Sequence, residues 1–403
     1  MRITHLTASG ELGGAERVAL ECLQAVRSWP GVEASLIALS RGPVVEAAAS
    51  VGAGAAAVEA PSEVALLGDA FASTGATVRA MVPALQRFPG FYRRFADAVR
   101  ASEPDVIHSH GIKTHVLSGL MARRAAVVWH IHDYLGMRSM SSKLARVLGN
   151  QCALAIAVSE SVAEDARRVL PTSVPVRAIH NAIDTDRFSP SGPAADLDAF
   201  SGLAAPPAGT IRIGLPATFA KWKGHETFLQ SIARIKSRTV RAYVIGDALY
   251  ETRNSQWSRG ELVALTRDLG LSDRVGFTGA IHDMPSAYRA LDIVVHASTR
   301  PEPFGLVIAE AMACGRALVA SPEGGAGELF VDGVHARAAS GGDPAALAKA
   351  LEQLIGQPER RAALGIAARE HAARAFGRPR FEQALRTALD RVTASSPVPE
   401  SVR

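Results

Sequence analysis

Residues 292–321, DIVVHASTRPEPFGLVIAEAMACGRALVAS, carry the pattern that decides the fold. DIVVHAS is a short, continuous apolar run, as expected of a strand covered on both faces. TRPEPFG holds two prolines and reads as a loop. LVIAEAMACG reads as a helix that stops at Gly315, and RALVAS is the next apolar run. Strand, loop, helix and strand make a βαβ unit, which joins parallel strands. Within it stand Glu302, in the loop, and Glu310, inside the helix. The helix mouth presents the N–H groups of Phe304, Gly305, Leu306 and Val307, an electropositive place for an anion. A carboxylate beside that mouth can accept hydroxyl hydrogen bonds while the N–H groups take phosphate oxygens. A carboxylate further in can reach the vicinal hydroxyls of a ribose. The set suits a nucleotide-diphosphate sugar. The plainer reading is a helix with one buried glutamate, which burial disfavours unless the carboxylate is paired. After the next strand, SPEGGAGE adds the glycine pair Gly324 and Gly325, with Glu328 beyond.

Outward from this unit the same alternation fills the chain. RITHLT, EASLIALS, AAAVEA, DVIHSH, AVVWHIH, LAIAVS and VRAIHN are the candidate strands of a first series. IRIGLPA, RAYVIGD and RVGFTG precede DIVVHAS in a second. Between the two series, Ser189 to Gly209 is rich in Pro, Gly, Ala and Ser and reads as a linker. The expectation is an α/β protein of two doubly wound, Rossmann-like domains facing each other across a cleft, residues 1–188 and 210–376, joined by 189–209. A C-terminal helix over 377–395 has the option of crossing back to the first domain, and 396–403 reads as a disordered tail. Ligands of such sheets sit beyond the C-terminal strand ends.

Composition narrows the function. The 403 residues are 48 % hydrophobic and 21 % charged, the balance of a soluble globular protein. A net charge of +5 is too weak to argue for nucleic acid, but leaves room for acidic small molecules or an anionic membrane surface. Cys22, Cys152 and Cys314 are far apart with no CxxC, so neither a disulfide framework nor a zinc site is supported. The N-terminus reads as a strand and loop, and no apolar run is long enough to span a membrane, so the expected location is the cytoplasm. In VRAMVPALQRFPGFYRRFADAVR, Phe88, Phe91, Tyr92 and Phe95 lie beside Arg87, Arg93 and Arg94. The segment is a half-buried surface helix or, on the alternative reading, a peripheral contact with the cytoplasmic membrane face.

Three further motifs bear on chemistry. GELGGAE, Gly10 to Glu16, follows the first strand and opens a helix, so its glycines would let a phosphate approach. Its spacing is not the dinucleotide G-x-G-x-x-G, which disfavours an oxidoreductase. VIHSH and VVWHIHDY put His108, His110, His130 and His132 at two strand ends. Alternation sends His130 and His132 to one face. With no carboxylate to complete the pattern, a metal is not expected. FAKWKGHETF sets Lys221 and Lys223 around Trp222 before a helix start at Gly224, a natural diphosphate contact.

Together these motifs resemble glycosyltransferase family 4, enzymes of the GT-B fold, over nearly the whole chain. Glu302–Glu310 matches the family's E-x7-E signature, Gly13-Gly14-Ala15-Glu16 its glycine-rich loop, and IHNAIDTDRFSP its crossover segment. The resemblance implies that Glu302 and His132 lie against the donor sugar, that Glu310 holds the ribose, and that Lys223, Gly14 and the 304–307 amides meet the diphosphate. It also implies retention at the anomeric carbon, no cofactor and no metal. Thr218 departs from the pattern, standing where the family usually carries an arginine, and Lys221 is the candidate substitute. Ala182 replaces a frequent glycine. Asp184-Thr185-Asp186 and Asp196-Leu197-Asp198 imitate a metal-binding D-x-D but read as turn residues. The expected reaction moves a sugar from a nucleotide-diphosphate sugar, a UDP- or GDP-sugar first, to a hydroxyl of a glycan, glycolipid or natural product. The rivals are a nucleotide-sugar epimerase of related fold, a glycan phosphorylase with a pyridoxal lysine, and a non-catalytic sugar-nucleotide-binding subunit.

Overall fold

Continuous apolar runs can bury both faces only inside parallel sheets, and the chain forms two of them. The computed structural model describes residues 1–66, 74–121, 125–137, 139–237, 239–248 and 255–395. The tail read at 396–403 lies outside the described residues. Met1–Ala182, with the C-terminal residues from Arg378 onward, make one compact unit, and Ile183–Gly377 make the other.

The first unit holds strands β1 (Arg2–Thr7), β2 (Glu33–Ala38), β3 (Gly54–Ala57), β4 (Val106–His110), β5 (Ala126–Ile131), β6 (Leu154–Ala157) and β7 (Val176–Ala178). They form one parallel sheet in the order β3-β2-β1-β4-β5-β6-β7. The second unit holds β8 (Ile211–Pro216), β9 (Val240–Ile245), β10 (Val275–Gly279), β11 (Ile293–His296), β12 (Ala317–Ala320) and β13 (Arg337–Ala338), ordered β10-β9-β8-β11-β12-β13. Both sheets are therefore wound the same way. Each reverses direction beside its first strand, between β1 and β4 and between β8 and β11. Crevices open at such switch points because the flanking loops diverge to opposite faces.

Each unit has its own core. In the second, Ile213, Phe228, Leu229, Ile232, Val244, Val295 and Leu351 are almost wholly buried around the sheet. In the first, Ile3, Val106, Val128 and Ile156 pack with Trp29 and with Phe381, Leu385 and Leu389 of the helix Arg378–Ser395. That helix is fastened by Arg378, which donates to both carboxylate oxygens of Glu21 at 2.9 and 3.0 Å.

Two sequence expectations change, both within 189–209. The segment 189–209 is not a bare linker. It contains the helix Leu197–Ser201, capped by Asp196, and Leu197 is buried. Asp198 accepts from Arg212 (2.9 Å), Arg241 (2.8 Å) and the Tyr243 hydroxyl (2.7 Å), so it is an anchor on the second unit rather than a turn residue. The aromatic-basic segment lies in the helix Thr74–Ala101, where Phe91 and Phe95 are buried one turn apart. Core packing therefore accounts for its inner aromatics. Among the described residues, no helix is long and apolar enough to cross a membrane.

Candidate active site

The strand order of the second sheet places the loop after β8 beside the loop after β11. The first of these loops makes a tight turn over Lys221–Lys223 and enters the helix His225–Arg234 through Gly224. Gly224 has φ +78°, and a Cβ there would sit 1.9 Å from the Ala297 carbonyl oxygen. Only glycine lets the turn press against the end of β11. The Thr299 N–H closes the contact by donating to the Trp222 carbonyl at 2.7 Å.

The second loop carries Glu302. Its backbone N–H donates to the Glu323 carbonyl (3.0 Å), and its own carbonyl accepts from the Ala326 N–H (3.3 Å). Gly305, at φ +95°, then turns the chain into the helix Leu306–Ala313. The first-turn N–H groups of Leu306 and Val307 have no acceptor inside the helix and mark its positive end.

These loops bring Lys223 and Glu302 together. Lys223 Nζ donates to Glu302 Oε2 at 2.7 Å. The same oxygen accepts from Ser298 Oγ at 2.9 Å and lies 3.2 Å from His296 Nε2. Burial by itself would raise the Glu302 carboxyl. The Lys223 charge and the His296 hydrogen bond outweigh it and hold the group well below the usual carboxylate range. Glu302 is thus a buried, ionised carboxylate beside a helix N-terminus. Lys223 also lies over the Trp222 ring, 3.9 Å from its centroid. Beneath them His225 is buried. Burial first, and then the Lys223 charge, lower its imidazole to about 4.

Glu310 stands deeper in the same helix and is also buried. Its Oε2 accepts from the Tyr288 hydroxyl at 2.7 Å, which supplies the pairing that such burial requires. Lys221 is not brought to this cluster. It is exposed and lies over the Trp257 ring at 5.0 Å. Thr218 is half-buried two residues beyond β8. Ser298, His296 and Tyr288 are functional neighbours that the sequence reading passed over. The first two were hidden in the tail of DIVVHAS, and Tyr288 carried no motif at all.

Gly14 and His132 belong to the first unit. Gly14 opens the helix Gly14–Arg27 after Gly13, which offers no side-chain cap, and the buried Glu16 carboxylate of the first turn accepts from its own backbone N–H and that of Ser9. His132 follows β5 and is half-buried. Its Nε2 is 3.0 Å from His110 Nδ1, and its ring stacks on His130 with centroids 4.6 Å apart. Burial favours its neutral form.

Comparison with known proteins agrees in both units. Residues 206–371 match the family model for glycosyl transferases group 1, and residues 12–187 match the model for glycosyltransferase family 4. The chain is 30 % identical over 302 residues to the D-inositol 3-phosphate glycosyltransferase of Stackebrandtia nassauensis, spanning 67 % of this chain and 64 % of that protein. It is 31 % identical over 316 residues to that of Xylanimonas cellulosilytica, 71 % of each chain. It is 28 % identical over 264 residues to a GDP-mannose-dependent alpha-(1-6)-phosphatidylinositol monomannoside mannosyltransferase of Mycolicibacterium smegmatis, spanning 62 % of this chain and 66 % of that one. Among solved structures, HepE of Anabaena in complex with UDP and glucose superposes with a TM-score of 0.81 at 25 % identity, covering 97 % of this chain and 99 % of HepE. Sucrose-phosphate synthase of Thermosynechococcus elongatus shares the fold at a TM-score of 0.78 and 18 % identity, covering 98 % of this chain and 100 % of that one.

Proposed function

This chain belongs to glycosyltransferase family 4, and we propose that it moves a sugar from a UDP- or GDP-sugar to an acceptor hydroxyl with retention at the anomeric carbon. The observation that carries the proposal is the Lys223–Glu302 pair at the mouth of the helix Leu306–Ala313, at the switch point of the second sheet. A cation, a helix N-terminus and an ionised carboxylate on one loop pair suit a diphosphate joined to a polyhydroxylated ring. UDP is supported by the HepE complex and GDP by the name of the Mycolicibacterium relative. The relatives' names, an inositol phosphate and a phosphatidylinositol mannoside, support a polyol or glycolipid hydroxyl as acceptor. A lipid acceptor would be met at the cytoplasmic membrane face, where the exposed Leu85, Arg93 and Arg94 are available for peripheral contact.

In the proposed reaction the bond from the anomeric carbon to the leaving phosphate oxygen breaks. The bond to the acceptor oxygen forms on the same face, and the leaving oxygen takes the acceptor proton. Negative charge grows on the diphosphate, so preorganised donors matter most, each worth about 3 kcal/mol or ~10²-fold in rate. Lys223 and the amides of residues 304–307 are assigned that work, and Gly14 is proposed as a further diphosphate contact. Glu302 accepts from sugar hydroxyls, His132 accepts from or donates to them, and Glu310, with Tyr288 behind it, receives the ribose. The charge stabilisation assigned here to Lys223 and helix amides needs no metal.

The test is a panel of UDP-, GDP-, ADP- and dTDP-sugars. One nucleotide should raise the melting temperature by mass action. Incubation with acceptor should then give a glycosylated product by chromatography and mass spectrometry. Donor converted to an isomer without acceptor would mean an epimerase, and binding with no turnover a binding subunit. Glu302→Ala should retain nucleotide binding and lose transfer. Full transfer by that variant would remove the role assigned to Glu302.

A further inference from the structure

The first sheet carries a cluster that the transfer reaction does not use. His108 and His110 alternate onto one face of β4, and His130 lies beside His110 in register on β5. The helix Gly14–Arg27 covers that face and turns Cys22 into it. All four side chains are fully or almost fully buried. One donor atom from each lies within 4.8 Å of the others. Cys22 Sγ is 3.7 Å from His130 Nδ1, and His130 Nδ1 is 3.3 Å from His108 Nε2.

The N···N distance is long for a hydrogen bond, and both distances match the edges of a coordination tetrahedron. With Zn–N near 2.05 Å and Zn–S near 2.3 Å, the N···N edge is about 3.3 Å and the S···N edge about 3.6 Å. His5, with Nδ1 3.3 Å from His110 Nε2, and His132, with Nε2 3.0 Å from His110 Nδ1, flank the set.

We propose that Cys22, His108, His110 and His130 form a closed, four-coordinate site for a borderline-soft divalent cation, Zn²⁺ foremost, that ties the helix Gly14–Arg27 to β4 and β5. A thiolate with three imidazoles selects zinc over magnesium or calcium, and four protein ligands leave no open position for catalysis. Binding releases the Cys22 thiol proton, so Zn²⁺ and thiol give zinc thiolate and H⁺.

Because the site is enclosed, the metal must be loaded as the chain folds. The full chain, without a histidine tag, is expressed in zinc-supplemented medium and its metal is counted by mass spectrometry. About one zinc per chain is expected, falling below about a fifth of that in Cys22→Ser and in His130→Phe. Those variants test the site only if they fold, so cobalt-grown wild-type chain gives an independent reading. A cysteine-bound, tetrahedral Co²⁺ should show a thiolate charge-transfer band in the near ultraviolet and strong visible d–d bands. Less than about a tenth of an equivalent of zinc, with no such bands in the cobalt-grown chain, would overturn the proposal. Unchanged zinc in a folded Cys22→Ser chain would overturn it equally, by placing the metal elsewhere.

Discussion

A carboxylate as buried as Glu302 stays ionised because Lys223, His296 and Ser298 share one of its oxygens. Removing the cation therefore does more than delete a contact. It leaves a buried negative charge without its counter-ion, a loss of about 3 kcal/mol when the remaining donors are kept. Lys223→Met should show that loss in urea unfolding at neutral pH, and turnover should fall more than tenfold. The pH dependence has a definite sign. In the wild type the folded-state carboxyl is depressed, so its contribution is complete above about pH 4.3 and disappears as pH falls below that. In the variant, burial is opposed only by the remaining Ser298 and His296 contacts, so the same carboxyl lies higher than in the wild type, and the penalty is largest at neutral pH and eases on acidification. The stability gap between the two proteins should narrow from pH 7 to pH 4. A gap independent of pH would show that the two residues are not coupled, and an unchanged turnover that another group holds the diphosphate.

The pairing itself is made by elements, and Gly224 is where the loop after β8 meets the end of β11. Gly224 and Gly209 share φ +78°, but a Cβ at Gly224 meets a carbonyl oxygen at 1.9 Å while one at Gly209 meets nothing within 4 Å. Gly209→Ala should cost only the left-handed penalty of about 1–2 kcal/mol. Gly224→Ala adds a steric conflict with the backbone and should cost about 3 kcal/mol or more, along with donor binding, measured by thermal melts and nucleotide titration. Equal losses would mean that the close approach is not what demands glycine. The same geometry explains what could be read in advance. Twelve of the strands announced themselves as apolar runs, whereas β13 has two residues and no periodicity to detect. Glu302, Glu310 and Lys223 were each legible as motifs, but the Lys223–Glu302 contact exists only because β8 and β11 are neighbours. The segment 189–209 has a linker's composition, and nothing local signals that Asp198 will meet Arg212, Arg241 and Tyr243. Cys22 was invisible beside the histidines for the same reason, since helix-on-sheet packing puts it there.

At the scale of the whole chain, the C-terminal helix shows that a unit need not be continuous in sequence. Arg378–Ser395 follows the second unit along the chain, yet its Phe381, Leu385, Leu389 and Val392 complete the first unit's core beside Trp29 and Val26. Each such side chain contributes about 1.5–3 kcal/mol when fully buried, so the four contribute roughly 6–12 kcal/mol. A domain's net stability is about 5–15 kcal/mol, so losing this helix removes most or all of what holds the first unit folded. A chain ending at Gly377 should therefore keep a protease-resistant second unit and lose the first to rapid cleavage. A chain ending at Ser395 should resist in both. Adding the 378–395 peptide in trans should restore protection of the first unit in proportion to its concentration, because the groove beside Trp29 would regain its apolar occupant. Survival of an intact first unit in the chain that stops at Gly377 would mean that β1–β7 and their own helices bury enough surface without it.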